Sequence, residues 1–272
     1  MTSSLRSLSC FPLEHRRLVR CVLTDIDDTL TIRGRLTATA FEAMESLDKA
    51  GIAVVPVTGR PGGWCDQIAR QWPVAGVVGE NGAFYFSYDA ANRVVRRSYW
   101  FSEARRARDR LRLDALAREI RQAVPRAGIA SDQRYRESDL AIDWAEDVGP
   151  LSEGEINNIV EVAASAGATV RISSIHINIW FGDFSKLEMA KRLGSEVLGL
   201  DPDGHPEKFV FVGDSPNDVT MFGFFPNSVG VANVLKFRGR LEAEPTYVTT
   251  EEGGDGFLEV ANTLLEERSL SS

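Results

Sequence analysis

The sequence predicts an α/β protein: a parallel-sheet core interrupted by an inserted α+β module. Three observations carry that prediction. Short, nearly continuous apolar runs alternate with helical patterns at both ends of the chain, as expected of strands covered on both faces. In the middle the rhythm changes to helix–strand–strand–helix–strand–strand. The apolar runs of both outer blocks stop at acidic or hydroxyl-bearing residues, where an open parallel sheet presents its ligand site.

The first run, Leu18 to Thr24, reads as a buried strand that opens directly into DIDDTLT. Thr37 to Ala50 places Phe41, Met44 and Leu47 at helical spacing; Thr39 and Glu42 suit a capping box, and Gly51 suits a stop. Ile52 to Val57 is a second strand, ending in TGRPGG. Gly62 to Trp72 is a short helix, and Val74 to Gly79 is a third strand, ending in ENGA. Phe84 to Tyr88 and Val94 to Tyr99 then form a hairpin around Asp89 to Asn92. Ser102 to Val124 is a long helix stopped by Pro125. Ile129 to Tyr135 and Asp139 to Ala145 are strands, Ser152 to Ala166 a helix, and Thr169 to Ser173 and Ile175 to Phe181 two more strands. The first pattern returns with a helix over Lys186 to Leu198 and a strand, Phe209 to Val212, ending in GDSPND. Short elements follow at Val229 to Val231 and Tyr247 to Thr249, then a helix from about Gly256 to Glu267 and a frayed end at Ser269–Ser272. The expected division is core 1–84, insert 85–183, core 184–272.

With 272 residues, 43% hydrophobic and 26% charged, the chain has the composition of an ordinary globular protein of about two domains. Its 31 Lys+Arg against 39 Asp+Glu, net −8, argues against a general nucleic-acid or anionic-membrane binder. Cys10, Cys21 and Cys65 suit neither a disulfide framework nor a Cys-based zinc site. No apolar run approaches the roughly 18–20 residues of a membrane span. Met1 to Arg20, with four arginines and no continuous apolar stretch, does not read as a signal peptide, so the expected setting is the cytoplasm. Ser102–Arg126 carries eight arginines against four acids, read as a solvated outer face or a subunit contact.

Four strand ends gather polar groups: Asp25, Asp27 and Asp28; Thr58, Gly59 and Arg60; Glu80 and Asn81; Asp214, Asn217 and Asp218. If these strands are neighbours, four or five carboxylates converge. Two carboxylates about 4 Å apart repel by ~4 kcal/mol at an effective dielectric near 20. A hard divalent cation resolves this, and oxygen ligands without a His/Cys cluster point to Mg²⁺ rather than zinc or copper. Mg²⁺ beside Thr, Lys and free backbone N–H groups points in turn to a phosphate.

DIDDT at Asp25–Thr29 is similar to the DxDx[TV] signature of the haloacid dehalogenase superfamily. Thr58 matches the Thr/Ser at the end of that family's second strand. Lys186 in SKLEMAKRL matches its basic third motif, and GDSPND at Gly213–Asp218 its acidic fourth. The four stand in the family's order, and the resemblance covers Leu18–Phe84 and about Asp183–Glu267. The insert after ENGA resembles the C2-type cap of the subgroup with sugar phosphatases, Cof-like phosphatases and phosphomannomutases. The resemblance implies a Rossmann-like core with an αββαββ cap, and it implies roles. Asp25 is then the nucleophile that forms an aspartyl-phosphate. Asp27 is the acid for the leaving group and afterwards the base for water. Asp25, Asp214 and the backbone carbonyl of Asp27 hold Mg²⁺, with Asp218 ligating it or orienting Asp214. Thr58 and the Gly59 N–H grip phosphoryl oxygens. Lys186, rather than Lys191, neutralises Asp25 and the transition state. Asn217 positions the phosphoryl group or a metal ligand. Asp28 is expected in a helix-capping or loop role, and Arg60 and Asn81 are expected to bind or orient substrate.

Period two along His176–Phe181 puts Ile177, Ile179 and Phe181 on one face and His176, Asn178 and Trp180 on the other. The first face is expected to pack on the insert's helices. The second, with Arg171 on the preceding strand, is expected to look down on the core and touch the substrate, with Trp180 stacking on a sugar ring. The expected activity is Mg²⁺-dependent hydrolysis of a small phosphate ester, a sugar phosphate or phosphorylated sugar acid, by a monomer or homodimer. A phosphomutase using the same Asp25/Asp27 pair and a non-enzymatic phospho-acceptor are the alternatives. Asp27 speaks against the second, since an acceptor needs no leaving-group acid.

Overall fold

The computed structural model of the chain describes residues 5–173 and 175–266; the frayed end expected at Ser269–Ser272 lies outside them. The first block holds β1 (Arg6–Ser7), α1 (Leu13–Leu18), β2 (Cys21–Thr24), β3 (Thr31–Ile32), β4 (Arg35–Leu36), α2 (Ala38–Lys49), β5 (Ala53–Pro56), α3 (Gly62–Gln71), β6 (Val77–Gly79), β7 (Phe84–Asp89) and β8 (Val94–Tyr99). The middle block holds α4 (Glu103–Ala123), β9 (Gly128–Ile129), β10 (Leu140–Asp143), α5 (Glu153–Ser165), β11 (Thr169–Ile172) and β12 (His176–Trp180). The last holds α6 (Lys186–Glu196), β13 (Phe209–Gly213), α7 (Val219–Phe224), β14 (Ser228–Gly230), β15 (Tyr247–Val248) and α8 (Gly253–Leu265).

The central sheet runs β1-β15-β14-β13-β2-β5, every pairing parallel, and a Val57–Val78 bridge continues it to β6. β2 and β13 lie side by side and are buried throughout, which is why CVLT and FVFVG are apolar without alternation. Val22, Val210 and Val212 pack with Met44 of α2 and Phe257 of α8; Leu23 and Phe211 pack with Met189 of α6 and Met221 of α7. Helix α2 starts earlier than a capping box at Thr39 would place it. Thr37 accepts the Ala40 N–H, and the Thr39 hydroxyl donates to Asp255 on α8 instead.

β7 and β8 form the expected hairpin, but β7 also pairs antiparallel with β6, and Phe84, Phe86 and Val95 join the core. Phe84 and Phe86, two positions apart, share one face of β7, and that face is the one buried in the core. On these pairings we propose that the insert begins with α4, not at residue 85.

The insert's sheet, β11-β12-β10-β9, is antiparallel. Ile177, Ile179 and Phe181 meet Leu113, Leu116 and Ile120 of α4 and Ile159 of α5, as the alternation along β12 requires. The strand expected over Ile129–Tyr135 stops at Ile129, because the chain then turns toward the core through Asp132 and Arg136. Part of the arginine stripe has a packing use. Arg106, Arg105 and Arg112 lie over the rings of Tyr99, Phe101 and Phe181, beside the two crossings between core and insert.

Candidate active site

Asp25 emerges buried at the end of β2, and its N–H donates to Val212 O at 2.9 Å, locking it to β13. The chain then turns through Asp28, whose backbone is left-handed (φ 57°) and whose N–H donates to Thr31 Oγ1: the expected loop role. Asp214 lies buried just beyond β13. Lys186 opens α6 behind its cap, Ser185. Gly82 (φ 107°) lets the turn after β6 press on that helix start, since any side chain there would strike the Ser185 carbonyl.

These elements bring Lys186 Nζ to 2.8 Å from Asp25 Oδ1 and 2.9 Å from Asp218 Oδ1. Lys191 pairs outside with Glu188 and Asp203. The second oxygen of Asp218 accepts the N–H groups of Asp214 and Ser215 at 3.1 and 3.4 Å, so both of its oxygens are engaged and the side chain fixes the loop. Asn217 is half-buried, its Oδ1 accepting from Ser215 Oγ at 2.7 Å.

Carboxylate oxygens of Asp25, Asp214 and Asp218 lie within 4.8 Å of one another around one ammonium group. Burial pushes the Asp25 carboxyl up to about 7; Lys186 opposes this, while Asp218 and Asp27 add to it. Burial, then Asp218, Asp25 and Asp28, holds Asp214 well above the usual carboxylate range. Burial would lower Lys186, but Asp218 and Asp25 raise it. The cluster is therefore short of positive charge, and its donors are all oxygens. That fits a hard divalent cation, with Asp25 and Asp214 as the less committed carboxylates.

Thr58 is fully buried, and the Arg60 N–H donates to its Oγ1 at 3.0 Å, which leaves the hydroxyl hydrogen free to point elsewhere. The Asn81 N–H donates to Thr58 O and the Glu80 N–H to Arg60 O, both at 3.1 Å. The left-handed backbones of Glu80 (φ 44°) and Asn81 (φ 57°) make this double clasp possible. The Asn81 amide packs over Gly59, where a side chain would crowd it. Arg60 grips Asp27 with two donors, Nε to Oδ2 at 3.0 Å and Nη2 to Oδ1 at 2.8 Å, and lies over the Trp64 ring. It also reaches the insert, Glu146 Oε1 at 3.2 Å and Asp132 Oδ2 at 3.7 Å. A buried guanidinium needs such partners, so Arg60 is committed to Asp27 and the cap rather than held out for substrate.

From above, His176 and Asn178 close the space. With Asp25, Asp27, Gly59, Arg60 and Asn217 they line a cavity of about 20 Å³, room for a water. Asn178 Nδ2 donates to Asp139 Oδ2 at 3.2 Å. His176 Nε2 lies 2.8 Å from Glu146 Oε2 but out of line for a hydrogen bond. Contact with His176, then the charge of Arg60, holds Glu146 down at about 2 against its partial burial. Arg171 pairs in register with Asn178, yet it is exposed and lines a neighbouring cavity of about 180 Å³ with Asn81, Trp180, Lys186 and Asn217. Trp180, expected to stack on a sugar ring, reaches this cavity with its ring already stacked on an aromatic neighbour. Its ring stacks on Phe184 (5.2 Å, 17°), because the end of β12 is where the chain returns to the core.

Sequence reasoning left five residues without a role: Glu80, Asp132, Arg136, Asp139 and Glu146. Glu80 is fully buried and accepts from Gly62 N–H at 3.0 Å and from the N–H groups of Glu137, Ser138 and Asp139, at 2.8, 2.6 and 3.2 Å. Burial and Asp139 push it up to about 8, against Arg136 and the backbone donors. Its place at a strand end was a signal; the other four have no local pattern.

Residues 22–104 match the family model of haloacid dehalogenase-like hydrolases. The chain is 27% identical over 247 residues to a phosphoglycolate phosphatase of Archaeoglobus fulgidus, covering 90% of this chain and 96% of the relative. Its fold is that of Thermoplasma acidophilum 0175 (TM-score 0.70, 20% identity, covering 90% and 98% of the two chains). It is also that of the sucrose-phosphatase of Synechocystis sp. in complex with sucrose and phosphate (TM-score 0.63, 15% identity, 90% and 97%). Among the described residues no helix is long and apolar enough to cross a membrane. With four motifs in order, an interrupted parallel sheet and these likenesses, the chain is similar to the haloacid dehalogenase-like hydrolases in motif order and in fold.

Proposed function

We propose that this hydrolase is a Mg²⁺-dependent phosphatase acting on a small phosphomonoester through an aspartyl-phosphate at Asp25. The observation that carries the reading is the buried Asp25–Lys186–Asp218 bridge beside Asp214. An oxygen nucleophile, a fixed cation and a charge-deficient acidic cluster then share one hollow.

Asp25 attacks phosphorus; the bond from phosphorus to the ester oxygen breaks, and Asp27 gives that oxygen its proton. Asp27 then takes a proton from water as the water oxygen attacks phosphorus, and the bond to Asp25 breaks, releasing phosphate. Arg60 holds Asp27 at both oxygens, while its partial exposure keeps it within reach of water. The Thr58 hydroxyl, its lone pair engaged by Arg60 N–H, donates to a phosphoryl oxygen. Lys186 neutralises charge on Asp25 as it is esterified. Asp25, Asp214 and the Asp27 carbonyl would hold Mg²⁺, which offsets the repulsion between an anionic ester and the carboxylates.

The substrate reading is a small polar phosphate, a sugar phosphate or phosphorylated sugar acid. The names of the phosphoglycolate phosphatase and sucrose-phosphatase relatives support it, as do the buried His176 and Asn178 over the hollow.

An aryl-phosphate assay tests the reaction class: turnover with Mg²⁺ and near-complete loss in EDTA are expected, and comparable rates in both would contradict it. A pH signature accompanies it. The Asp25 carboxyl, raised from 3.8 to about 7, favours folding when protonated; this contribution is full below about pH 4 and is lost as pH rises through 7. Mg²⁺ competes with those protons, so its effect on Tm should be larger at pH 8 than at pH 5. Equal shifts at both pH values would count against metal on these carboxylates.

A further inference from the structure

We propose that Arg136, on the insert, is a positioning residue for the phosphate-binding loop Thr58–Arg60, and that it couples this loop to the substrate-facing Asn178. The proposal rests on the phosphatase reading above. Arg136 has no exposed side-chain surface. Its Nη1 donates to the Gly59 carbonyl at 2.8 Å, across 77 positions of sequence. The peptide that carries this carbonyl also carries the Arg60 N–H, which donates to Thr58 Oγ1. One peptide plane is thus held at both ends, by the insert on its oxygen and by the Thr58 hydroxyl on its nitrogen.

The clamp matters because residue 59 is glycine. A glycine sets few limits on its own dihedral angles, so the plane of the following peptide must be fixed from outside. If it rotates, Thr58 Oγ1 loses its donor, and the hydroxyl proton is no longer forced toward the phosphoryl group. The Gly59 N–H, the other expected donor, moves with the same glycine.

Arg136 is itself set by its neighbours. Nε donates to Asp132 at 3.0 Å, Nη1 to both oxygens of Asp139 at 3.1 Å, and Nη2 to Asp132 at 3.3 Å. Asp139 Oδ2 also accepts from Asn178, which lines the hollow above Asp25. The route from Asn178 through Asp139 and Arg136 to Gly59 is therefore continuous hydrogen bonding. Glu80 seals the same contact from the core, binding the N–H groups of residues 137 to 139. A leaving group that seats against Asn178 with the insert down thus sets the loop that grips its phosphate. An insert out of place would leave the loop unset.

Arg136→Lys keeps a cation between Asp132 and Asp139 but replaces the planar fork with a single ammonium, which cannot serve both aspartates and Gly59 in this geometry. The readouts are kcat for an aryl phosphate with Mg²⁺ and the inhibition constant of orthovanadate, which takes the five-coordinate geometry of phosphoryl transfer. We expect kcat to fall at least tenfold and the vanadate constant to rise by a similar factor. Both within twofold of wild type would overturn the proposal. So would a fall in kcat with the vanadate constant unchanged, since that is the mark of a smaller folded fraction. Should the lysine variant not fold, Asp139→Asn, which loosens the hold on Arg136 at nearly constant shape, is judged on the same constants with a threefold threshold. A wild-type protein inert toward every phosphate ester would fail the reading of the site and this proposal with it. An active wild type with unaltered variants would fail this proposal alone.

Discussion

Asp25→Asn should abolish turnover, by roughly a thousandfold or more, without weakening the fold. The amide keeps the shape of the side chain but is not a nucleophile toward phosphorus. The stability effect should run the other way. Burial pushes the Asp25 carboxyl up to about 7, so its charged form is the unfavourable one in the metal-free protein. A neutral amide removes that cost at pH 8, and Lys186 keeps Asp218 as its partner. The metal-free Tm of the variant should therefore equal or exceed that of the wild type while activity is lost, a trade expected where function strains a site. Kinetic assay beside thermal unfolding checks both. Activity within tenfold of wild type would remove Asp25 from the chemistry.

Lys186→Met should cost both activity and stability. The ammonium is buried between two carboxylates, and removing one partner of a buried ion pair leaves uncompensated charge, typically costing about 3–5 kcal/mol. At about 2–4 °C per kcal/mol for a chain of this size, the Tm should fall by roughly 10 °C. Asp218 loses the donor to Oδ1 and Asp25 its neutralising neighbour, so kcat should drop by about a hundredfold or more. The loss of Tm should be smaller at pH 5 than at pH 8, because the Asp25 carboxyl, which burial pushes up to about 7, is protonated at the lower pH and no longer needs a partner. A Tm unchanged at pH 8 would mean that the bridge contributes little, and would weaken the electrostatic reading of the cluster.

The readable parts of this molecule are those in which chemistry and local pattern coincide. Asp25, Thr58 and Asp214 stand where buried apolar strands end, and a parallel sheet brings such ends to one edge. Lys186 was legible because the first turn of a helix can face that edge while Lys191 cannot. The two faces of β12 were legible from period two, since Ile177 and Ile179 need helices to cover them. What could not be read was contact between the two parts. Arg136 meets Gly59, and Arg60 meets Asp132 and Glu146, across stretches of sequence with no periodicity to link them. The pairing of the β7–β8 hairpin with β6, on which the proposed start of the insert at α4 rests, was likewise illegible, because it depends on which sheet edge is free. The neighbour of Trp180 was illegible for a related reason: alternation gives the side of the strand, not the partner, and Phe184 stacks on its ring.

The central claim is that a phosphoryl group passes through the carboxylate of Asp25. An Asp27→Asn variant tests it most directly. An aryl phosphate leaves without a strong acid, so the first step should proceed, while hydrolysis of the acyl phosphate, lacking its base, should stall. Acid-quenching this variant with Mg²⁺ and aryl phosphate, followed by peptide mass mapping, should find one phosphoryl group on the peptide that contains Asp25. Turnover by the wild type with no covalent phosphate on Asp25 in the stalled variant, or with the group on another residue, would contradict the account.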